Sequence, residues 1–131
     1  MKEIDEKLHE STEDYLEAIL NIKEEQGYVR SVDIATHMNV SKPSITYATK
    51  KLKEGGYINM DKNGMIVLTE KGLGIANEIW TRHKTLAMLF EYLGTSKKQS
   101  MIDACKVEHD LSDETFKSIQ KFIKNKYKIS K

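Results

Sequence analysis

The sequence predicts a mainly α-helical protein with one small β-hairpin, in the element order α-α-α-β-β-α-α-α. Helix caps and helix-stopping glycines, with apolar residues at helical spacing in the first and the long helix, indicate six helical segments. Two short β-prone runs flank Asp61-Lys62-Asn63-Gly64, and the Asn-Gly pair there is a strong hairpin signal. Hydrophobic residues (39%) and charged residues (31%) occur in ordinary proportions for a globular chain. With 131 residues, the chain suits one compact unit or a small domain with a helical extension.

The first helix should cover residues 12–26, with Ser11 or Thr12 as its N-cap. Four apolar residues fall on one of its faces at helical spacing: Tyr15, Leu16, Ile19 and Ile22. Asp14 and Glu17 lie roughly opposite that apolar face. Their positions alone therefore indicate side chains in solvent.

Two shorter helices should follow the first. One covers residues 32–38 with Ser31 as its N-cap. The other covers residues 42–54 with Ser41 as its N-cap and Pro43 in its first turn, where a missing N–H does no harm.

Next, the hairpin should pair residues 57–60 with residues 65–68, and both Asn63 and Gly64 in its turn tolerate positive φ. The remaining helices should cover residues 70–93, 98–109 and 113–126, the last with Ser112 as its N-cap.

The second and third helices match the packing pattern of a helix-turn-helix. The positions that must be buried are all apolar: Ile34, Met38, Val40, Ile45 and Ala48. Ala35 is small where the two helices cross most closely, and Asn39 tolerates positive φ at the turn. Because a hairpin follows, the order is that of a winged helix-turn-helix.

This module should bind double-stranded DNA. Residues 41–62 contain five lysines and two acidic residues, a local charge of +3, whereas the whole chain carries +1. The second helix of the pair should enter the major groove, and the hairpin tip should contact the backbone or the minor groove. The expected contacts are Ser41, Lys42, Pro43, Ser44, Thr46, Tyr47, Lys50, Lys51, Lys62 and Asn63. The alternative is a three-helix packing unit with a solvated lysine face.

A second group of residues suits a metal ion. Cys105, Glu108 and His109 are spaced i, i+3 and i+4, so a helix places them on one face, together with Met101 and Ile102. A carboxylate and an imidazole on an apolar face are costly unless they are paired or bind a metal. Thiolate, carboxylate and imidazole are all transition-metal ligands.

His83 should point into a core, because apolar residues share its face of the long helix: Ala76, Ile79, Trp80, Leu86, Ala87 and Phe90. Taken singly, each candidate also has an ordinary structural explanation. Cys105 suits a buried thiol, His83 a hydrogen-bonded core histidine, Asp14 and Glu17 surface charges, and Glu108-His109 a pair at the end of a helix. The residues by themselves leave the metal site open.

Other features limit the class of protein. The single cysteine cannot form an internal disulfide. No apolar run approaches the ~20 residues that span a bilayer, and the polar N-terminus does not resemble a signal peptide. We therefore expect a cytoplasmic protein that does not enter a membrane. HExxH, a Gly-rich phosphate loop and a nucleophile triad are missing from the sequence, so we expect no enzyme.

Several motifs in order resemble those of the diphtheria toxin repressor / manganese transport regulator (DtxR/MntR) family. They are EDYLEAI, SVDIATHMNVSKPSIT, LTEKG, RHKTLAMLF and CKVEHDLSDE. The resemblance implies a winged helix-turn-helix domain over residues 1–70 and a helical metal-binding and dimerisation domain over residues 71–131. It also implies a homodimer that binds a palindromic operator and represses metal-uptake genes. Longer members carry a C-terminal SH3-like domain, which we do not expect here.

Carried over by position, the family's metal ligands are Asp14, Glu17, His83, Cys105, Glu108 and His109. The manganese branch usually has a carboxylate at position 105, whereas the iron branch has a cysteine there and usually a methionine at position 14. The chain combines features of both branches, so Mn(II) and Fe(II) are the expected ions, with Zn(II) as a third option. The number of ions per subunit stays open.

Two further positions depart from the family. The iron branch's second site looks incomplete, because its positions are His83, Ala87 and Met101 here. Tyr47 occupies the position of a base-contacting glutamine. The alternative function is a metal-independent or thiol-responsive winged-helix regulator that uses Cys105.

Overall fold

The structure, a computed structural model, describes the backbone of residues 2–130 and the side chains of residues 11–126. Over this part of the chain, helices and strands follow one another in the predicted order. They are α1 (Lys2–Gln26), α2 (Ser31–Met38), α3 (Lys42–Glu54), β1 (Ile58–Met60), β2 (Ile66–Leu68), α4 (Glu70–Tyr92), α5 (Lys97–Val107) and α6 (Asp113–Ser130). The mainly α-helical fold with one hairpin is confirmed. Among the described helices, none has the length and apolarity needed to cross a bilayer.

The chain divides into two compact units, Met1–Asn77 and Glu78–Lys131. In the first unit α1 contacts α2 and β2, α2 contacts α3, and α3 contacts β1. Large aliphatic side chains from every one of these elements, and from the loop before α2, are buried: Leu16, Ile19, Ile22, Val29, Ile34, Ile45, Leu52, Ile58 and Ile66. They provide the apolar interior of this unit.

Helix α1 begins at Lys2, about ten residues earlier than predicted. Ser11 and Thr12 therefore lie inside the helix, and the prediction that one of them is the N-cap is wrong. The residues before them are mostly good helix formers without glycine or proline, so nothing in the local sequence stops the helix from extending. The expectation that Glu17 faces solvent is also wrong, because its residue is only 8% exposed.

The helix-turn-helix has the expected local geometry, with one shifted cap. Asn39 adopts the left-handed conformation at the turn, with φ of 56°. Ser41 caps α3 as predicted, because its Oγ accepts a hydrogen bond from the Ser44 N–H at 3.3 Å. The cap of α2 is Arg30, whose N–H donates to Asp33 Oδ2 at 2.9 Å, and Ser31 is the first helical residue.

Of the five positions predicted to be buried, Ile34 and Ile45 are fully buried. The other three are half-buried: Met38, Val40 and Ala48.

The hairpin pairs Ile58 with Leu68 and Met60 with Ile66 in antiparallel register. Its turn depends on Asp61, whose Oδ1 accepts hydrogen bonds from the N–H groups of Asn63 (2.8 Å) and Met65 (2.9 Å). Gly64 has a positive φ of 81°, whereas Asn63 does not have a positive φ. An aspartate that captures backbone N–H groups needs only one left-handed residue in the turn, so the expected use of Asn63 is wrong.

The second unit contains most of α4, together with α5 and α6. Leu86, Ala87 and Ala104 form its buried centre, with four partly buried residues packed around them: Phe90, Val107, Leu111 and Ile119. Helix α5 ends at Val107, two residues before the predicted end, and Glu108 is its C-cap. Ser112 caps α6 as predicted, because its Oγ accepts from the Thr115 N–H at 3.1 Å.

Candidate DNA-binding surface and metal ligands

One face of α3 is buried in the first unit, and the other face is exposed to solvent. Ile45, Thr49 and Leu52 are buried, and the Thr49 hydroxyl donates to the Ile45 carbonyl at 2.9 Å. Each predicted DNA-contacting residue on α3 or at its cap is exposed: Ser41, Lys42, Pro43, Ser44, Thr46, Tyr47, Lys50 and Lys51. The exposed face therefore combines cations, hydroxyls and the N-terminal end of a helix, all of which suit phosphates and base edges.

Tyr47 is prominent on this face, with 61% of its residue surface exposed. The Lys51 ammonium lies 5.5 Å from the centre of the Tyr47 ring and 3.7 Å from Glu54 Oε2. An exposed phenol offers both an apolar ring edge and a hydroxyl to a groove. Tyr47 can therefore make contacts that a purely ionic side chain cannot.

The segment after the hairpin is joined to the end of α3 by side-chain contacts to backbone carbonyls. The Thr69 hydroxyl donates to the Gly56 carbonyl at 2.6 Å, and the Lys71 ammonium donates to the Gly55 carbonyl at 3.0 Å. Gly72 lies so close to the Tyr57 carbonyl that an added Cβ would be 2.1 Å from its oxygen. These contacts join the end of α3 to the start of α4, and Lys62 and Asn63 at the hairpin tip are exposed.

In the first unit, α1 brings two candidate metal ligands together. Asp14 and Glu17 are one helical turn apart, and each offers a carboxylate oxygen within 4.8 Å of the other. Asp14 is half-buried and Glu17 is buried. Two carboxylates held this close repel each other, so a cation between them would be favourable.

In the second unit, Glu108 is the centre of the other candidate ligands. Its side chain is completely buried. Its Oε2 lies 3.0 Å from His83 Nδ1, and its Oε1 lies 3.5 Å from His109 Nε2. Cys105 is exposed, and its Sγ lies within 4.8 Å of a Glu108 oxygen. The C-terminal end of α5 thus places thiol, carboxylate and imidazole groups around one point.

The orientation of His83 is set by its neighbour one turn earlier on α4. The Trp80 and His83 rings are stacked, with centres 5.3 Å apart and planes 8° apart.

The second carboxylate oxygen of Glu108, Oε1, accepts no hydrogen bond from the part of the chain that the structure describes. Its polar neighbour is His109 Nε2 at 3.5 Å. A completely buried carboxylate is costly unless nearby cations or donors compensate its charge, and a divalent cation would do so. The donor set therefore fits a divalent transition metal.

Sequence reasoning missed Arg82, the residue before His83. The Arg82 side chain is only 9% exposed and contacts the loop that carries Glu108 and His109. A signal was available, because Ile79, Arg82 and Leu86 share the buried stripe of α4 at helical spacing. A charged residue on such a stripe needs partners in the interior.

Comparison with known proteins gives the family. The model of the iron dependent repressor, N-terminal DNA binding domain, matches residues 7–66. The model of the iron dependent repressor, metal binding and dimerisation domain, matches residues 69–127. The chain belongs to the iron-dependent repressor family. This is a family of metal-dependent transcriptional regulators rather than enzymes. The prediction of a metal-dependent regulator that is similar to the DtxR/MntR family is therefore confirmed.

Relatives of the chain agree with this family. It is 39% identical over 118 residues to an uncharacterized HTH-type transcriptional regulator of Methanocaldococcus jannaschii, covering 88% of this chain and 94% of that protein. It is 35% identical over 102 residues to the HTH-type transcriptional regulator MntR of Bacillus subtilis, covering 78% and 72%.

Solved structures of the family resemble the chain as well. The manganese regulator SloR has a TM-score of 0.74 at 28% identity, covering 86% of this chain and 53% of that one. A manganese-dependent transcriptional repressor in complex with manganese has a TM-score of 0.78 at 27% identity, covering 86% and 52%. The chain spans about half the length of these two structures. The family models and these likenesses support a DNA-binding protein that binds a divalent metal and dimerises.

Proposed function

We propose that this protein is a cytoplasmic repressor that binds a palindromic operator as a homodimer when Mn(II) or Fe(II) is bound, and thereby controls metal-uptake genes. The observation that carries the proposal is the completely buried Glu108 carboxylate, which lies between His83 and His109. A buried carboxylate is costly unless its charge is compensated, and a divalent cation held with the two imidazoles would compensate it.

The proposed ligands come from both halves of the chain. They are Asp14, Glu17, His83, Cys105, Glu108 and His109. We propose that the two carboxylates of α1 and the four ligands of the second unit bind the same ion. When bound, the cation would supply the positive charge that these three carboxylates and the thiolate need in order to lie together.

This ligand set would connect metal binding to DNA binding. Helix α1 contacts α2, which in turn contacts the DNA-reading helix α3. Residues 1–70 would read DNA, and residues 71–131 would bind the metal and form the dimer. Ligands contributed by α1 would therefore favour one placement of the DNA-reading helices over others. The shift is limited to the difference in metal affinity between the competent and incompetent states.

The ligand chemistry supports Mn(II) and Fe(II) as the bound ion, with Zn(II) as a third option. Three carboxylates favour a hard ion such as Mn(II), whereas the Cys105 thiolate favours softer ions, including Fe(II) and Zn(II). SloR, which is 28% identical to this chain, is a manganese regulator. Cys105 is the one thiolate among the proposed ligands, so we expect it to determine which ion the protein prefers.

The proposed operator contacts are the ten exposed residues of the α3 face and the hairpin tip. The lysines would bind phosphates, and the residues near the start of α3 would read base edges. Tyr47 would contribute to sequence preference, because its exposed ring can contact a thymine methyl group.

The proposal is tested by a variant of α1. Glu17→Gln removes one carboxylate charge from the DNA-reading unit while preserving the side chain's shape. Glu24→Gln is the matched control, because Glu24 is exposed on the same helix. Operator fragments selected from the protein's own genome are titrated by fluorescence anisotropy, with and without Mn(II). Wild type and Glu24→Gln should bind more tightly with Mn(II), whereas Glu17→Gln should lose most of this gain. An equal gain in all three proteins would contradict the assignment of α1 ligands.

A second candidate function is a thiol-responsive, metal-independent regulator, which the exposed position of Cys105 favours. In that case a Cys105→Ser variant would lose its response to peroxide, and chelation would not change the operator affinity of wild type. A chelator that releases DNA from the reduced protein would exclude this candidate.

A further inference from the structure

Arg82 connects α4 to the segment between α5 and α6. Its Nη1 donates hydrogen bonds to the carbonyls of Glu108 (3.1 Å) and Leu111 (2.7 Å). Its Nη2 donates to Asp113 Oδ1. The guanidinium also lies 5.1 Å from the centre of the Phe116 ring. One buried side chain thus contacts the first residue of this segment, Leu111 near its end, and two residues of α6.

The carbonyls that Arg82 binds belong to residues beyond the last residue of α5, Val107. The Glu108 carbonyl, at the C-cap of α5, has no partner within the helix, and the Leu111 carbonyl lies in the loop that follows, so another donor must satisfy each of them. The planar guanidinium, with several N–H groups in a fixed fork, can do so at several points at once. The path of the chain through Glu108 and His109 is therefore fixed by a residue on another helix.

Adjacent residues of α4 hold the two parts of Glu108. Arg82 binds its main-chain carbonyl, and His83 lies 3.0 Å from its carboxylate. The backbone position and the side-chain direction of Glu108 are thus both set by α4. His109 follows Glu108 directly, so its backbone is positioned by the same contacts.

We propose that Arg82 is a positioning residue for the metal ligands Glu108 and His109. The proposal rests on the proposed metal-binding function. Arg82 does not bind the ion, since a guanidinium is always cationic and offers no lone pair. It holds the ligands at the geometry that the ion requires, and partners of this kind change metal affinity by about 10- to 100-fold when they are removed.

The charge of Arg82 and its hydrogen bonds are expected to have opposite effects on metal affinity. A fixed cation near a divalent ion repels it, so loss of the guanidinium charge alone would tighten metal binding. Loss of the contacts to the Glu108 and Leu111 carbonyls would free the ligand segment and weaken metal binding. The sign of the change therefore separates the two roles.

The test uses the full-length protein and Mn(II), whose free concentration is measured anaerobically by electron paramagnetic resonance. Arg82→Met removes the charge and the contacts, and Arg82→Lys keeps the charge but not the fork. Lys84→Met is the matched control, because Lys84 is an exposed cation two residues further along α4. Circular dichroism of the metal-free proteins checks that each variant is folded.

We expect Arg82→Met to weaken Mn(II) binding by about 10- to 100-fold, Arg82→Lys to give a smaller loss, and Lys84→Met to bind as tightly as wild type or slightly more tightly. Wild-type or tighter binding by folded Arg82→Met would overturn the positioning role and leave the proposed function intact. Failure of wild type to bind Mn(II), Fe(II) or Zn(II) would overturn both.

A milder variant keeps the inference testable if Arg82→Met does not fold. Asp113→Asn removes the charge of one Arg82 partner, and the Asp113 side chain is 73% exposed, so the fold should tolerate the change. We expect Mn(II) binding to weaken by about two- to fivefold, as suits a partly exposed ion pair. Unchanged affinity in both Asp113→Asn and Arg82→Lys would count against the inference.

Discussion

Replacing Glu108 with glutamine should weaken metal binding by about 100-fold and leave the fold in place. Glutamine has nearly the same shape as glutamate and can keep a hydrogen bond to His83, whose Nδ1 lies 3.0 Å from Oε2. The expected cost to the metal-free protein is therefore about 1 kcal/mol, the net value of a typical hydrogen bond. Alanine would instead leave the buried imidazole without this partner, at a cost of about 1–3 kcal/mol and a cavity.

The effect on the metal-bound protein should be much larger. Free Mn(II) at about 100 times its dissociation constant stabilises wild type by about 2.7 kcal/mol. For a chain of this size, 1 kcal/mol corresponds to about 3–5 °C in melting temperature, so Mn(II) should raise the wild-type value by roughly 8–14 °C. A 100-fold loss of affinity in Glu108→Gln reduces the stabilisation to about 0.4 kcal/mol, a rise of roughly 2 °C or less.

The assay is thermal unfolding by circular dichroism, with and without Mn(II), under anaerobic conditions. Glu91→Gln is the control, because Glu91 is exposed on α4 in the same unit. Wild type and Glu91→Gln should show the full rise, and Glu108→Gln should show almost none. An equal rise in all three proteins would refute the role of Glu108 as a ligand.

Three further predictions concern the hairpin, the DNA-binding surface and the choice of metal. Gly72→Ala should destabilise the first unit by about 1–3 kcal/mol in urea unfolding, because its Cβ would lie 2.1 Å from the Tyr57 oxygen; unchanged stability would contradict the close packing. Lys50→Ala should lower the slope of log affinity for operator DNA against log salt by about 0.9, as expected for one lost phosphate contact; an unchanged slope would remove Lys50 from the DNA surface. Cys105→Asp should shift the ratio of Mn(II) to Zn(II) affinity towards Mn(II) by about tenfold, or ~1.4 kcal/mol. This ratio is measured by competition with a chelating dye, and an unchanged ratio would show that Cys105 does not select the ion.

The DNA-reading module could be predicted from the sequence because each of its positions has a separate steric requirement. Asn39 at positive φ, Ser41 as a cap and Ile34 and Ile45 in the interior each follow from the local sequence. The turn of the hairpin was harder to predict, because the same residues allow a turn with one or with two residues at positive φ. Asp61 captures two backbone N–H groups, and this local choice leaves Asn63 out of the left-handed region.

The environment of α1 could not be predicted from its periodicity. The aliphatic residues of its apolar stripe are buried, and so are Glu13 and Glu17, which lie off that stripe. Periodicity identifies the face that packs first, and it gives no sign that polar positions will be buried too. The start of α1 was misplaced for a related reason, because Ser11 and Thr12 are good caps that the helix does not use.

The candidate metal ligands were visible as residue types, and their surroundings were not. Spacing placed Cys105, Glu108 and His109 together, but it did not show that Glu108 would be completely buried. Nor did it show that Arg82 fixes the Glu108 carbonyl from another helix, because that contact joins residues 26 positions apart in the sequence. Long-range contacts of this kind depend on the tertiary packing.

The most direct test of a metal-dependent repressor is anaerobic binding of the purified protein to DNA selected from its own genome. The protein is titrated with Mn(II), Fe(II) and Zn(II) in separate experiments, and each titration is reversed with a chelator. We predict that Mn(II) or Fe(II) sharply increases operator affinity and that chelation restores weak binding. Equally tight binding with and without every metal would contradict the proposal that a metal controls this protein.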